Sequence, residues 1–349
     1  MHRLIALLFL ALALAPGTWL RDPPRDPNRA LDLQFSPVAL PPKADMAPLL
    51  GPFELERAWQ ISGKHKEFGG FSALIPLGNG GLRAMSDNGV MLAFSPPGSP
   101  PIPPVFRSIH DHESLLKKYR DAESATIDPA TGTVWIGWEH SNAITRHEPD
   151  FSGSKLIKPE PMRGWGTNSG PEAMVRLADG RFVVLREGFE RLAEKRRHAA
   201  VLFSGDPTES PLYEGFVFDG PEDFSPTDMA QLPDGRVLIL MRKVVWPIPP
   251  RFAGLIVLAD PAEIEKDGLW KGKVLAKLES PLPTDNFEGL AIEPHKDGTL
   301  TVWLISDDNR MATQRLLLLK LALDPKKLPP PGRHEKAREK PARSSEKPD

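Results

Sequence analysis

Apolar residues in the middle of the chain come in short runs separated by polar turns, with no recurrent helical spacing. Four segments repeat one pattern: "GGFSALIPLGNGGLRAMSD" from Gly69, "DAESATIDPATGTVWIGWE" from Asp121, "GPEAMVRLADGRFVVLRE" from Gly170 and "SPTDMAQLPDGRVLILMR" from Ser225. A polar lead is followed by an apolar stretch, a turn and a second apolar run, and "DNFEGLAIEP" from Asp285 opens a fifth copy. The turns "ADGR", "PDGR" and "PATGT" supply residues that accept the positive φ of tight hairpins, so each unit reads as a β-hairpin.

Aligning Ser72, Glu123, Glu172, Asp228 and Glu288 gives spacings of 51, 49, 56 and 60 residues. A period near ~50 with strand patterning predicts an all-β propeller of four-stranded blades. Five blades are favoured, with six as the alternative. In the fourth unit "FAGLIVLAD" from Phe252 and "GKVLAKLES" from Gly272 supply strands three and four. The last unit has only "QRLLLLKLAL" from Gln314 after its hairpin, so it lacks an outer strand. The N-terminal run "PFELERAWQIS" from Pro52 is expected to supply it and close the ring, leaving no open sheet edge between the ends.

Composition narrows the partners. Of the 44 Lys/Arg and 46 Asp/Glu, eight and four lie in the last 25 residues and four and two in the first 30. That leaves 32 basic and 40 acidic residues between them, a body near −8 that disfavours nucleic acid. The absence of cysteine excludes disulfides and thiolate ligands. "MHRLIALLFLALALAPGTWL" has a basic start, an apolar run and Ala-Leu-Ala, so residues 1–20 read as a signal peptide. An uncleaved anchor is the alternative, because Pro16 is a poor residue after a cleavage site and the run is short of the ~20 residues of a span. Residues 21–48 read as a Pro-rich linker, 49–324 as the propeller and 325–349 as a disordered basic tail. A periplasmic or secreted monomer is expected, tethered to the membrane if the N-terminal segment is kept.

Propeller topology places the charges. The first strand of each blade lines the central channel, and the second returns to the same face. Glu123, Glu172, Asp228 and Glu288 should therefore approach one another at one mouth, where Asp87, Glu139 with His140, Glu187, Arg242, and Asp307 with Asp308 return. Converging carboxylates need protons, arginines or a cation. Oxygen-only ligands suit Ca²⁺, and Glu123, Glu172, Asp228, Glu288 and Asp308 are its expected ligands. The alternatives are Arg186 or Arg242 as counter-ions, or a carboxyl of raised pKa as general acid or base. Such acids can also hold neighbouring blades through backbone amides.

Other clusters carry less. His110, His112 and Glu113 lack a histidine pair at helical spacing and read as a capped surface helix. No Gly-x-Ser-x-Gly elbow occurs, which disfavours a serine esterase. "GWGTNSG" fits a loop at the channel mouth, where Asn168 could meet ligand while Trp165 packs between blades. "RLAEKRRHAA" from Arg191 reads as a solvated basic loop or a phosphate-attracting lip.

"DNFEGLAIEP" followed by "LTVWLISDDNR" and "QRLLLLKL" resembles the C-terminal hallmark of the phytase-like domain described as having esterase-like activity. "DAESATID" and "GPEAMVRLADGRFVVLRE" look like its earlier repeats, and the resemblance spans about Phe68 to Leu323. It implies an exported bacterial protein with a hydrolytic role on phosphoesters or carboxylic esters. It carries over Glu123, Glu172, Glu288, Asp307 and Asp308, while Ser72 and Asp228 depart from the pattern. Glu288 or Asp307 is the expected general base, and Asn168, Arg186, Arg242 and Asn309 the expected substrate contacts. The likeness to calcium-dependent propeller phytases is looser, and a lactonase of the gluconolactonase type shares the plan but not the motifs. A non-catalytic propeller binding a ligand or an envelope partner is the rival reading.

Overall fold

The computed structural model describes residues 31–78, 80–109, 120–191, 194–247 and 250–331. The expected signal or anchor, the His110–Glu113 cluster and most of the basic tail lie outside them. Among the described residues no helix is long and apolar enough to cross a membrane.

The strands form antiparallel meanders. β1 (Gln34–Pro37), helix α1 (Lys43–Leu50) and β2 (Phe53–Ser62) come first. The first complete meander is β3 (Phe71–Gly78), β4 (Gly81–Ser86), β5 (Val90–Phe94) and β6 (Val105–Ser108). Next comes β7 (Ala122–Ile127), β8 (Val134–Trp138), β9 (Ala143–His147) and β10 (Ser154–Ile157). Two longer ones follow: β11 (Pro171–Arg176) to β12 (Phe182–Arg191), β13 (Glu194–Phe203) and β14 (Tyr213–Asp219), then β15 (Ser225–Gln231) to β16 (Val237–Pro247), β17 (Pro250–Ala259) and β18 (Leu269–Leu278). β14 and β18 pair in parallel through Val217 and Leu269, which fuses these two meanders into one eight-stranded sheet. The chain ends with β19 (Asn286–Pro294), β20 (Leu300–Asp307) and β21 (Leu317–Leu323).

The Asp-Gly turns behave as the sequence implies. Gly180, Gly235 and Gly298 have φ of 91°, 93° and 84°. In each turn the preceding aspartate accepts the N–H two residues on: Asp179 from Arg181, Asp234 from Arg236 and Asp297 from Thr299. First strands pack side by side, β3 on β7, β7 on β11, β11 on β15, β15 on β19 and β19 back on β3, which makes an all-β propeller with a central channel.

Closure uses the chain start. β2 pairs β21 from Phe53 opposite Leu323 to Gln60 opposite Leu317, and β1 adds a further strand outside β2. Its alternation buries Phe53, Leu55, Ala58 and Ile61 while Glu54 and Glu56 face water. The segment expected to be a linker is therefore partly ordered: α1 buries Met46 and Leu50 in the core cluster shared by β2, β18 and β21. Gly51 ends it at φ 55°, and a Cβ there would stand 2.2 Å from the Leu275 carbonyl oxygen. Beyond Leu323 the chain makes a short 3-10 turn, Pro325–Lys327, and buries Leu328, so the expected tail begins later than residue 325.

The second correction concerns "RLAEKRRHAA". Lys195 to Phe203 lie in β13 rather than in a loop, because β12 and β13 continue pairing past the sheet through Phe189–His198 and Arg191–Glu194. β16 and β17 do the same through Lys243–Ala253, Val244–Phe252 and Pro247–Pro250. Two hairpins thus project beyond the mouth at which Glu187 and Arg242 stand.

The closure predicts a stability test. Leu55→Ala should cost about 3 kcal/mol of unfolding free energy through lost burial and a cavity, whereas Glu54→Ala on the solvent face should leave the denaturation midpoint nearly unchanged; chemical denaturation measures both.

Candidate functional site

Each first strand carries a register shift at the same place. The breaks fall between Phe71 and Ala73, Ala122 and Ser124, Pro171 and Ala173, Pro226 and Asp228, and Phe287 and Gly289. The extra residue is Ser72, Glu123, Glu172, Thr227 or Glu288, and a bulge of this kind re-aims its side chain. The residue after it is small in four units: Ala73, Ser124, Ala173 and Gly289. At Gly289 a Cβ would lie 2.6 Å from the Ile305 Cγ2.

This corrects the alignment of the fourth unit. Its bulge residue is Thr227, and Asp228 sits one step further on, so its side chain leaves the strand in another direction. Asp228 is fully buried, and its carboxylate accepts the N–H groups of Leu290 at 2.7 Å, Met229 at 2.8 Å and Leu74 at 3.4 Å. Burial pushes its pKa well above the carboxylate range, against those three amides. It ties three first strands together inside the channel and stands apart from the other expected ligands.

The hairpin ends return to the mouth through one recurring backbone bond. The Asp87 N–H donates to Gly70, Glu139 to Asp121 and Glu187 to Gly170. A Cβ at Gly170 would stand 2.4 Å from the Glu139 Cα, so glycine there lets β8 come close to the start of β11. As a result Asp121, Glu123 and Glu139 bring three carboxylate oxygens within 4.8 Å of one another, and Glu139, Glu172 and Glu187 do the same.

Arg242 is a cation buried among these acids. Its Nη2 donates to Glu187 Oε1 at 3.1 Å, and its Nε lies 3.1 Å from Glu288 Oε1. Burial works against its charge, but Glu288, Glu187, Glu172 and Asp307 outweigh burial and push its pKa up. Asn286 Nδ2 donates to Glu288 Oε1 at 2.6 Å. Burial raises the Glu288 pKa to about 7 against Arg242 and Asn286, with Glu187 and Asp87 adding to the rise. Glu139 is also pushed up to about 7, by burial and then by Asp121 and Glu187. Burial raises Glu123, Glu172 and Asp307 well above the usual range, with Glu172 adding to the rise at Glu123, Glu187 at Glu172, and Glu288 at Asp307.

Of the expected residues, Glu123, Glu172, Arg242, Glu288 and Asp307 thus share one electrostatic cluster. Asp308 turns toward the first unit, where its Oδ1 accepts the Gly70 N–H at 3.0 Å and the Arg310 N–H at 3.2 Å. Asn309 is exposed at φ 45°, and its N–H donates to Asp307 at 2.7 Å. Arg186 Nε donates to Ser169 Oγ at 2.8 Å, bracing the loop that carries exposed Asn168. Trp165 is buried in the core with Trp135 and Met162. On the projecting hairpin, Arg196 pairs with Asp219 at 2.6 Å and Lys195 with Asp223 at 3.6 Å, so these two basic residues are already matched to acids. Asp121 and Asn286 belong to the site and were not singled out; both lie beside an aligned acid, at i−2 of Glu123 and Glu288, and that spacing was the available signal.

Two tests follow. Asp228→Ala strands three buried N–H groups and should cost about 3 kcal/mol in denaturant unfolding. The second concerns pH. Glu139 and Glu288 keep their protons in the folded chain up to about 7, whereas the ordinary glutamate value is 4.5. Folding therefore takes up protons between those values, and their contribution to stability falls as pH rises through that window. In chelator the melting temperature should climb by several degrees from about pH 8 to about pH 5, and Glu288→Gln should flatten the climb.

Comparisons with known proteins follow this geometry. A search of the curated proteins finds no match. Among solved structures, the chain is similar to one of a nidogen/laminin complex at 9% identity, TM-score 0.45, covering 84% of this chain and 98% of that one. It is also similar to the glutaminyl cyclase of Myxococcus xanthus, at 12% identity and TM-score 0.43, covering 78% and 97%. A third is the PQQ-bound aldose sugar dehydrogenase of Streptomyces coelicolor, at 11% identity and TM-score 0.44, covering 78% and 98%. The family described as phytase-like, esterase-like activity of phytase, matches residues 66–310, from just before the first full meander to the "DDNR" turn, and the chain belongs to that family.

Proposed function

We propose that the protein is an exported hydrolase of phosphoesters or carboxylic esters that works at the carboxylate-lined mouth. The observation that supports this most is Glu288, a buried carboxyl raised to about 7 beside Arg242, in a mouth that also gathers two carboxylate triads. A carboxyl poised near neutral pH can accept a proton from water. The Asn286 amide and the Arg242 guanidinium both face one oxygen, Oε1, which leaves Oε2 to take that proton.

In this reading Glu288 is the general base, and Asp307 holds a proton nearby that it can give to the leaving oxygen. Water adds to phosphorus or to the acyl carbon, the ester bond to the leaving oxygen breaks, and the two protons of water end on Glu288 and on the product. Arg242 supplies positive charge for the developing oxyanion once Glu288 is protonated. The residues that would hold a divalent cation are Asp121, Glu123, Glu139, Glu172 and Glu187. A bound calcium would polarise the ester oxygen. Glu288 is thereby assigned to proton transfer and Asp228 to structure rather than to metal binding. Export through residues 1–20 belongs to the same proposal.

Glu288→Gln should lower turnover of a phosphodiester or ester reporter by about 10²- to 10⁴-fold while calcium still raises the melting temperature. If no reporter of either class is turned over by the calcium-loaded wild-type chain, the hydrolase reading falls and the ligand-binding propeller takes its place.

A further inference from the structure

Glu139 belongs to both carboxylate triads. One triad completes with Asp121 and Glu123, from the lead into β7; the other completes with Glu172 of β11 and Glu187 of β12. Glu172 is 6% exposed, and among the described residues its Oε1 accepts no hydrogen bond. A buried carboxylate oxygen with no donor is expensive, because nothing replaces the water it gave up. The side chains that act on it most strongly are the acids Glu187, Glu139 and Glu288, and Arg242, which is already engaged by Glu187.

Charge also bears on the number of ions. The five carboxylates of the two triads carry five negative charges when ionised, and Arg242 is the guanidinium that acts on Glu172 and Glu187. Arg242 is shared with Glu288, so one divalent cation leaves two or more of the five uncompensated, whereas two divalent cations leave at most one.

We propose that the mouth holds two calcium ions side by side, Asp121 and Glu123 on one, Glu172 and Glu187 on the other, with Glu139 bridging them. This rests on the reading that the mouth binds a divalent cation, and it adds the number, the bridge and the division of ligands. Two bidentate carboxylates and one oxygen of the bridging Glu139 give each ion up to five oxygens, and water can complete the six to eight that calcium takes. Glu288 and Asp307 stay outside both triads and free for substrate. The fixed approach of β8 to Gly170 sets the two sites next to each other, since any side chain at residue 170 would push Glu139 away.

Equilibrium dialysis of the 349-residue chain against calcium, with metal analysis of the protein, tests this. Two ions per wild-type chain are expected, one per chain for Asp121→Asn and for Glu187→Gln, and at least a tenfold weakening of both ions for Glu139→Gln. If Glu139→Gln does not fold, the wild-type count and the other two variants decide. One ion per wild-type chain, or a complete loss of calcium in either single variant, overturns the paired site and leaves a single-ion mouth. No bound calcium at all overturns the paired site together with the cation part of the proposed function.

Discussion

Everything at the acidic mouth depends on one electrostatic constraint: the ring brings more carboxylates together than the Arg242 guanidinium can neutralise. Arg242 reaches Glu187 and Glu288 directly, and the remaining acids answer to each other. The bulge in each first strand creates this crowding, since it aims Glu123, Glu172 and Glu288 inward from three different units. Protons relieve it in the free chain, which is why burial and mutual repulsion raise Glu123, Glu139, Glu172, Glu288 and Asp307 together. Propeller closure holds the acids in place despite the repulsion, because they sit on or directly beside strands packed into the ring.

The channel is chemically two-ended, and Asp228 stands between the ends. On the far side, a cavity of about 520 Å³ is lined by apolar residues of β3, β7, β11, β15 and β19, among them Leu74, Ile127, Val175, Met229 and Ile292. Leu74 and Leu290, whose amides bind Asp228, also line that cavity. The buried carboxyl therefore couples the walls of the apolar end to the strands that carry the acids.

Much of the architecture was legible in the sequence. Asp-Gly turns, apolar runs and a recurring interval suffice for a propeller closed by its N-terminal strand, because those features are set by local backbone chemistry. What was not legible turns on single-residue register. "SPTDMAQ" places Thr227 and Asp228 side by side, and nothing in the string says which one the bulge extrudes; the acid is the more tempting and is the wrong one. Glu139 and Glu187 were expected at the mouth as strand ends, but their closeness to Glu172 depends on packing at Gly170. "EKRRHAA" looked like a loop because its charges mask an alternation, Lys195 and Arg197 against Arg196 and His198, that becomes a strand once β12 lies beside it. α1 was hidden in a Pro-rich stretch, and its Pro48 argues against a helix that tertiary burial of Met46 and Leu50 nonetheless holds.

Closing the ring with β2 has a consequence for how the chain reaches this shape. The first long strand to be synthesised has no inner partner until almost the last one, Leu317–Leu323, has been made. The ring is therefore a high-contact-order object: its final seam cannot form early, and folding waits on a loop that spans nearly the whole domain. Until then β2 and the lone edge of β21 are sticky surfaces of an unfinished molecule. A partly made chain accordingly stays open, and the acidic mouth comes into being only in the finished molecule.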